Sequence, residues 1–361
     1  MAKSSAPPPP PFPATWNQLI GHDWIRSALQ IAIRKGRLAG SMLFVGSPGV
    51  GKTATAMLVA QTILCQRNSS RDMNPCGTCP DCVQVRAGTH PDLIQVSKPA
   101  DRTLIPLEAL IGPVDARLQE GFCHDVHLRP MQGPRKVALL HDADFLNEEG
   151  ANCLLKTLEE PPSNALIILI GTSEQKQLPT IRSRCQTMRF VSPTGEDGRR
   201  LLREHLARFH ADVDDPPSVT DETLNDALEL SAGDFHVATR LASGQSGELR
   251  NQFLAQLSTS VPDPVVVARC INEHLDAASK KEAPLRRAAF RDVCAIAVQH
   301  YRGQLRASAQ QGRFEVETQN RLDRTLRVFR EIDRSANLNT LVDCYAADLT
   351  LATTGDRGAI G

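Results

Sequence analysis

Five short apolar runs break an otherwise polar chain: Ser41–Val45, Leu93–Val96, Val137–Leu140, Ala165–Ile170 and Thr187–Val191. Runs this short, bounded by turn residues, read as strands, and those that lack polar alternation read as buried on both faces. Helical stretches separate them, among them Ala54–Leu64 and Ala151–Leu158. Strands alternating with helices predict a parallel sheet covered on both sides.

Beyond Val191 the pattern changes. Ser192–Gly198, with a proline and two glycines, reads as a hinge, and Arg199–Gly244 as a small helical unit interrupted by a polar loop, Ala211–Asp221. A second linker, Ser243–Gly247, leads to a helical tail with 3.6-residue periodicity over Val265–Leu275, Leu285–Tyr301 and Leu322–Ile332. Residues 1–13 are proline-rich and are expected to form a disordered tail. The expected organisation is therefore a tail over 1–13, an α/β domain over 14–191, a helical unit over 192–244 and an all-α domain over 245–361.

Charge narrows the function. The 41 basic and 41 acidic residues cancel, which excludes a protein that grips nucleic acid with its whole surface. At 4% aromatic content, an interface built mainly on base stacking is excluded too. The longest apolar run is far below the roughly 20 residues of a membrane span, and the N-terminus has no apolar signal segment. A cytoplasmic chain without membrane contact is expected. There, ten cysteines are thiols or metal ligands rather than disulfides.

Gly46, Ser47, Pro48, Gly49, Val50, Gly51, Lys52 and Thr53 form a complete G-x-x-x-x-G-K-[ST] loop between a strand and a helix. Its glycines let backbone N–H groups curl around phosphates at a helix N-terminus. Lys52 is expected to reach the β and γ phosphates of ATP, with the Thr53 hydroxyl completing a Mg²⁺ shell.

Cys65, Cys76, Cys79 and Cys82 have the spacing C-x10-C-x2-C-x2-C, with turn residues between them. Four thiolates close a tetrahedral zinc site with no position left for water, so the zinc expected over 65–82 is structural.

The third strand should end in the acidic pair of a P-loop NTPase, an Asp for Mg²⁺ and a Glu for water. Here the run is Val137-Ala-Leu-Leu-His-Asp-Ala-Asp144, with His141 at the metal Asp and Asp142 at the Glu. An imidazole is a poor partner for this hard ion. Asp142 or Asp144 serves only after a one-residue slip, and nucleotide binding is better supported than hydrolysis.

Further motifs carry a resemblance: Ile20-Gly-His22, Arg37-Leu38, Ala87-Gly-Thr-His-Pro-Asp92, Asn152-Cys-Leu-Leu-Lys-Thr-Leu-Glu-Glu-Pro-Pro162, Ser183-Arg-Cys185 and Ala336-Asn-Leu-Asn-Thr-Leu341. With the P-loop and the cysteines, they make the chain from about Trp16 onward resemble the AAA+ subunits of the bacterial DNA polymerase III clamp loader, most closely the delta-prime subunit. The resemblance implies an AAA+ P-loop NTPase domain with an inserted zinc module, a small helical lid and a helical C-terminal collar. It implies a hetero-pentameric ring with gamma/tau and delta subunits, which places a sliding clamp on primed DNA in the nucleoid-associated replisome. It also implies that Arg184 is an arginine finger offered to a neighbour's ATP, and that Thr172 is the first nucleotide sensor.

The motor subunit of such a ring carries a second sensor, an Arg in a Gly-x-x-Arg pattern; Gly233-Asp-Phe-His236 has His instead. With His141, two hydrolysis elements are weakened while the finger is kept, which suits a subunit that binds ATP, hydrolyses little and serves its neighbour. The alternatives are an autonomous ATPase, the gamma/tau-like motor included, and a small-molecule P-loop kinase, for which nothing after Val191 provides a lid.

Overall fold

Strands whose two faces both meet helices need apolar side chains at every position, and three of these strands are buried throughout. They are β1 (Ser41–Val45), β3 (Lys136–Leu140) and β4 (Ala165–Gly171); β2 (Leu93–Val96) and β5 (Gln186–Arg189) form the two edges. A computed structural model of the chain describes residues 13, 15–99, 102–211, 219–231, 233–243, 247–280, 282–332 and 337–351. The proline run before Pro13, most of the 211–221 loop and Ala336 lie outside them.

All pairings are parallel, in the order β2-β3-β4-β1-β5. Val45 pairs with both Gly171 and Arg189, and Leu140 with Leu169, so β1, β3, β4 and β5 end along one edge. The strand order reverses around β1, and ligands of open parallel sheets bind at that switch, beyond the carboxyl ends of the strands.

The helices in chain order are α1 (Asp23–Arg34), α2 (Lys52–Leu64), α3 (Pro80–Ala87), α4 (Leu107–Ile111), α5 (Phe122–His127), α6 (Glu148–Glu159) and α7 (Pro179–Arg182). α2 is apolar around its whole circumference and buried from Thr55 to Leu64, as a helix covered on all sides must be. A core of Leu43, Leu110, Phe122, Leu154, Leu158, Ile167 and Leu169 joins α4, α5 and α6 to the sheet. α6 starts where Asn147 Oδ1 accepts the Gly150 N–H at 2.7 Å.

The Ala87–Asp92 motif closes the module before β2. His90 Nδ1 accepts the Asp92 N–H (3.0 Å), and its Nε2 faces Asp81 Oδ1 at 3.2 Å. The buried Asp92 carboxylate accepts the N–H groups of Met131, Gln132 and Gly133 at 2.6, 2.8 and 2.7 Å, tying a distant loop to β2. Burial pushes its pKa up, but the three donors outweigh that and hold it below the ordinary 3.8. A depressed carboxyl contributes stability that is present above its unfolded value and lost as pH falls through the folded one. Asp92→Asn is expected to cost about 2–3 kcal/mol at neutral pH, because an amide presents N–H to donors. Melting temperatures measured from pH 6 to pH 3 should fall more steeply for the wild type than for the variant.

The chain divides into two compact units, Met1–Gly198 and Arg199–Gly361. α8 (Gly195–Phe209) starts inside the expected hinge, where Gly195 has φ +59°, a value that side chains disfavour. The second unit continues with α9 (Asp221–Leu230), α10 (Phe235–Ala242), α11 (Gly247–Leu257), α12 (Pro264–Ala278), α13 (Ala283–Gln310), α14 (Val316–Ile332) and α15 (Leu338–Leu351). Its core holds Phe253, Phe290, Tyr301 and Tyr345, the last with its hydroxyl 3.0 Å from Thr325 Oγ1. Buried Asp292 on α13 pairs with Nε and Nη2 of Arg240 on α10, which fastens these two helices together.

Candidate nucleotide site, cysteine cluster and exposed arginine

The phosphate loop leaves β1 at the reversal of strand order. Gly46 passes so close to β5 that a Cβ would lie 2.4 Å from the Phe190 carbonyl oxygen, so no side chain fits there. Gly49 (φ +77°) and Gly51 (φ +101°) supply the left-handed turns that bring successive N–H groups to the mouth of α2. The Lys52 ammonium donates to the carbonyls of Gly46 (2.5 Å) and Ser47 (2.7 Å), which holds the cation against the loop. Thr53 follows it on the first turn of α2, half-buried.

Beneath the loop lies His22, fully buried, with Nε2 2.5 Å from the Val50 carbonyl and its ring edge-on to Phe190. Burial pulls its pKa down more than the Val50 carbonyl raises it, so the ring is neutral, with Nε2–H donating to that carbonyl. Nδ1 is buried without a hydrogen-bond partner. The glycine cradle and the poised ammonium fit the phosphates of a bound nucleotide.

At the end of β3, His141 Nε2 is 3.3 Å from Gln95 Oε1, and burial lowers its pKa despite the adjacent Asp142, so it too is neutral. Asp142 adopts a left-handed backbone (φ +56°) and accepts the Lys98 N–H at 3.3 Å. Asp144 turns instead toward the end of β4. Its carboxylate accepts the Thr172 N–H (2.9 Å), the Thr172 hydroxyl (2.5 Å) and the Gln177 amide (2.5 Å). A Cβ at Gly171 would lie within 2.7 Å of both Gln177 and Asp144, so the glycine that ends β4 makes room for this network. Thr172 thus stands at the switch edge, oriented by Asp144. Sequence spacing did not reveal Gln177 or the partner of Thr172.

Arg184 follows α7 on the surface of the first unit. Nε donates to Glu159 Oε1 (2.5 Å) at the end of α6, Nη2 pairs with the same oxygen, and Nη1 donates to the Thr180 carbonyl (2.9 Å). The side chain is 29% exposed and Glu159 47%, so the guanidinium is held in place yet reachable. In the second unit, His236 on α10 lies beside His205, ring centroids 5.9 Å apart.

The four cysteines converge from the end of α2, the following loop and the start of α3. All four Sγ atoms lie within 4.8 Å of one another. Cys76 and Cys82 are 3.9 Å apart, close to the edge of about 3.8 Å that a tetrahedron of 2.3 Å zinc–sulfur bonds requires. Backbone N–H groups point at the sulfurs: Asn68 and Cys76 at Cys65 (3.4 and 3.5 Å), Cys79 at Cys76 (3.2 Å) and Cys82 at Cys79 (3.4 Å). Burial pushes the Cys76 thiol up, but the N–H groups of Thr78 and Cys79 outweigh it and bring it to about 6. Burial and the Cys79 thiol push Cys82 up. Crowded thiols that ionise unequally are those a divalent cation would bring to one charge state. The cluster could hold a metal, and its geometry suits zinc.

The family profile described as "DNA polymerase III, delta subunit" matches residues 21–194, which span the loop, the cysteine cluster, the Thr172 network and Arg184. The DNA polymerase III subunit delta' of Pseudomonas aeruginosa is 35% identical over 239 residues, 66% of this chain and 62% of its own length. Over residues 21–194 the chain is similar to this DNA polymerase III family. Other DNA polymerase III subunits are similar to a comparable degree. Subunit delta' of Bacillus subtilis is 30% identical over 60% of this chain and 61% of its own. Subunit tau of Salmonella typhimurium is 31% identical over 70% of this chain, which spans only 38% of that longer relative. Among the described residues no helix is long and apolar enough to cross a membrane.

Proposed function

We propose that this chain is the delta-prime-type subunit of a DNA polymerase III clamp loader. In this reading it binds ATP at Gly46–Thr53 with Mg²⁺, hydrolyses it slowly or not at all, and lends Arg184 to the ATP held by a neighbour. The observation that carries the reading is the end of β3. Neutral His141 stands where a carboxylate would hold Mg²⁺, Asp142 turns to Lys98, and Asp144 is engaged by Thr172 and Gln177. The binding loop beside it is intact. Gamma/tau and delta chains complete the ring, the sliding clamp and primed DNA are its substrates, and the replisome at the nucleoid is its place of work.

When bound, Mg²⁺–ATP supplies a phosphoryl group whose developing charge needs neutralising. Lys52 does this from the phosphate loop, Thr172 is poised by Asp144 to sense the γ position, and Arg184 acts across the subunit boundary. Cys65, Cys76, Cys79 and Cys82 would hold zinc, which would supply a cross-link between the end of α2 and the start of α3.

The complete phosphate loop favours a second reading, an autonomous ATPase of the gamma/tau-like motor kind. Fluorescent-nucleotide titration and single-chain turnover separate the two. The isolated chain is expected to bind Mg²⁺–ATP, to lose at least tenfold in affinity on Lys52→Ala, and to show negligible turnover. Substantial turnover abolished by Lys52→Ala would establish the motor.

A further inference from the structure

The Ile20-Gly-His22 segment brings a histidine under the phosphate loop, and the packing around it fixes the ring there. Gly21 has φ +78°, and a Cβ on it would lie 2.7 Å from Pro193 Cγ, so only glycine lets the chain pass at this point. The His22 carbonyl accepts the N–H groups of Ile25 and Arg26 (3.0 and 3.2 Å), starting α1, while its ring turns inward beneath Val50 and Gly51. A Cβ at Gly51 would stand 3.6 Å from the ring, and Phe190 packs edge-on against it with centroids 4.9 Å apart.

Val50 offers Nε2 only a carbonyl oxygen, so Nε2 carries the proton of this 2.5 Å contact and the partner fixes the tautomer. Nδ1 is buried with no partner, a cost that an apolar ring of similar size would not carry. Packing alone therefore does not account for a histidine here. What the imidazole has and a phenyl ring lacks is the bond to Val50. The Val50–Gly51 peptide is planar and trans, so its C=O and N–H point in opposite directions. With the oxygen held below by His22, the Gly51 N–H is turned to the mouth of the loop, at the N-cap of α2, and among the described residues no group accepts it. Gly51, at φ +101°, offers no steric resistance to a peptide flip, which would present the carbonyl oxygen to an anion instead. We propose that His22 is a positioning residue for the phosphate loop, holding the Val50–Gly51 peptide so that the Gly51 N–H faces the bound phosphate. The inference rests on the reading of this loop as an ATP site, and one part of its test needs no nucleotide.

That part uses the full chain labelled with 15N-histidine and free of nucleotide. It should show an imidazole proton on Nε2, protected from solvent exchange, that is lost in His22→Gln. Titration with fluorescent ATP and Mg²⁺ then compares wild type, His22→Phe and His22→Gln, each shown to be folded by its melting curve. His22→Phe keeps a ring without the donor and is expected to bind about tenfold more weakly. His22→Gln places an amide N–H at a similar reach and should bind within about threefold of wild type. Equal weakening in both variants would make ring shape the cause, and His22→Phe binding like wild type would make the hydrogen bond idle; either result overturns the proposal. A wild type that binds ATP no better than Lys52→Ala would refute the ATP reading instead. In that case, or if His22→Phe fails to fold, the labelled imidazole decides: a protected Nε2 proton sustains the placement of His22, and its absence overturns it.

Discussion

In a reconstituted ring, Arg184→Ala in this chain is expected to lower ATP turnover at the adjoining site about a thousandfold while the ring stays assembled. A guanidinium supplied from a neighbour neutralises charge that develops only in the transition state, so its loss is read in rate rather than in ATP affinity. The local geometry supports a clean experiment. Arg184 and Glu159 form a partly exposed surface pair, and such pairs contribute only about 0–1 kcal/mol to stability. The variant's melting temperature should barely move. Arg184→Lys should rescue little, because an ammonium cannot span Glu159, the Thr180 carbonyl and an incoming phosphate as a planar fork can. Turnover of the ring, with assembly checked by size-exclusion chromatography, reads the result; an unchanged rate would remove Arg184 from the mechanism.

The second large effect concerns the cysteine cluster. Purified protein is expected to hold about one zinc per chain, and Cys79→Ser to hold none. Structural zinc sites bind with apparent free energies of about 10–16 kcal/mol, and that binding is itself folding energy. Losing it should therefore do more than empty a site. Cys79 caps α3, and the same module carries Asp81, the partner of His90 in the motif that positions Asp92. Melting of 65–92 should follow, seen as a large drop in melting temperature and early proteolysis within this segment. Elemental analysis showing no zinc in the wild type, with all four thiols freely titratable, would contradict the assignment.

Features written in contiguous residues were legible in the sequence. β1, β3 and β4 are continuous apolar runs because helices cover both faces of the sheet. The phosphate loop and the four cysteines have spacings that their chemistry dictates. The Thr187–Val191 strand was placed with less success: it ends at Arg189, and Val191 is 69% exposed, because β5 is an edge strand whose pattern is not uniformly apolar. The Ser192–Gly198 segment contains the first turn of α8, with Gly195 at φ +59°, and the division between the two compact units falls at its end.

What spacing could not reveal are the pairings across the fold. Asp144 meets Thr172 and Gln177 from 28 and 33 residues away, and Glu159 meets Arg184 from 25. His22 reaches Val50 from 28. Each of these side chains belongs to a readable segment, but its partner is set by the strand order and by which helix ends face the same edge. The sequence also left Asp142 and Asp144 as competing carboxylates. The fold separates them, one turned to Lys98 and the other holding Thr172.

The most direct test of the central claim compares two substitutions in one reconstituted ring: Lys52→Ala and Arg184→Ala, each in this chain alone, with steady-state ATP hydrolysis as the readout. A subunit that serves its neighbour predicts that Lys52→Ala leaves most of the turnover intact while Arg184→Ala removes the share of the adjoining site. The opposite pattern, turnover lost with Lys52→Ala and untouched by Arg184→Ala, would make this chain a motor and contradict the claim.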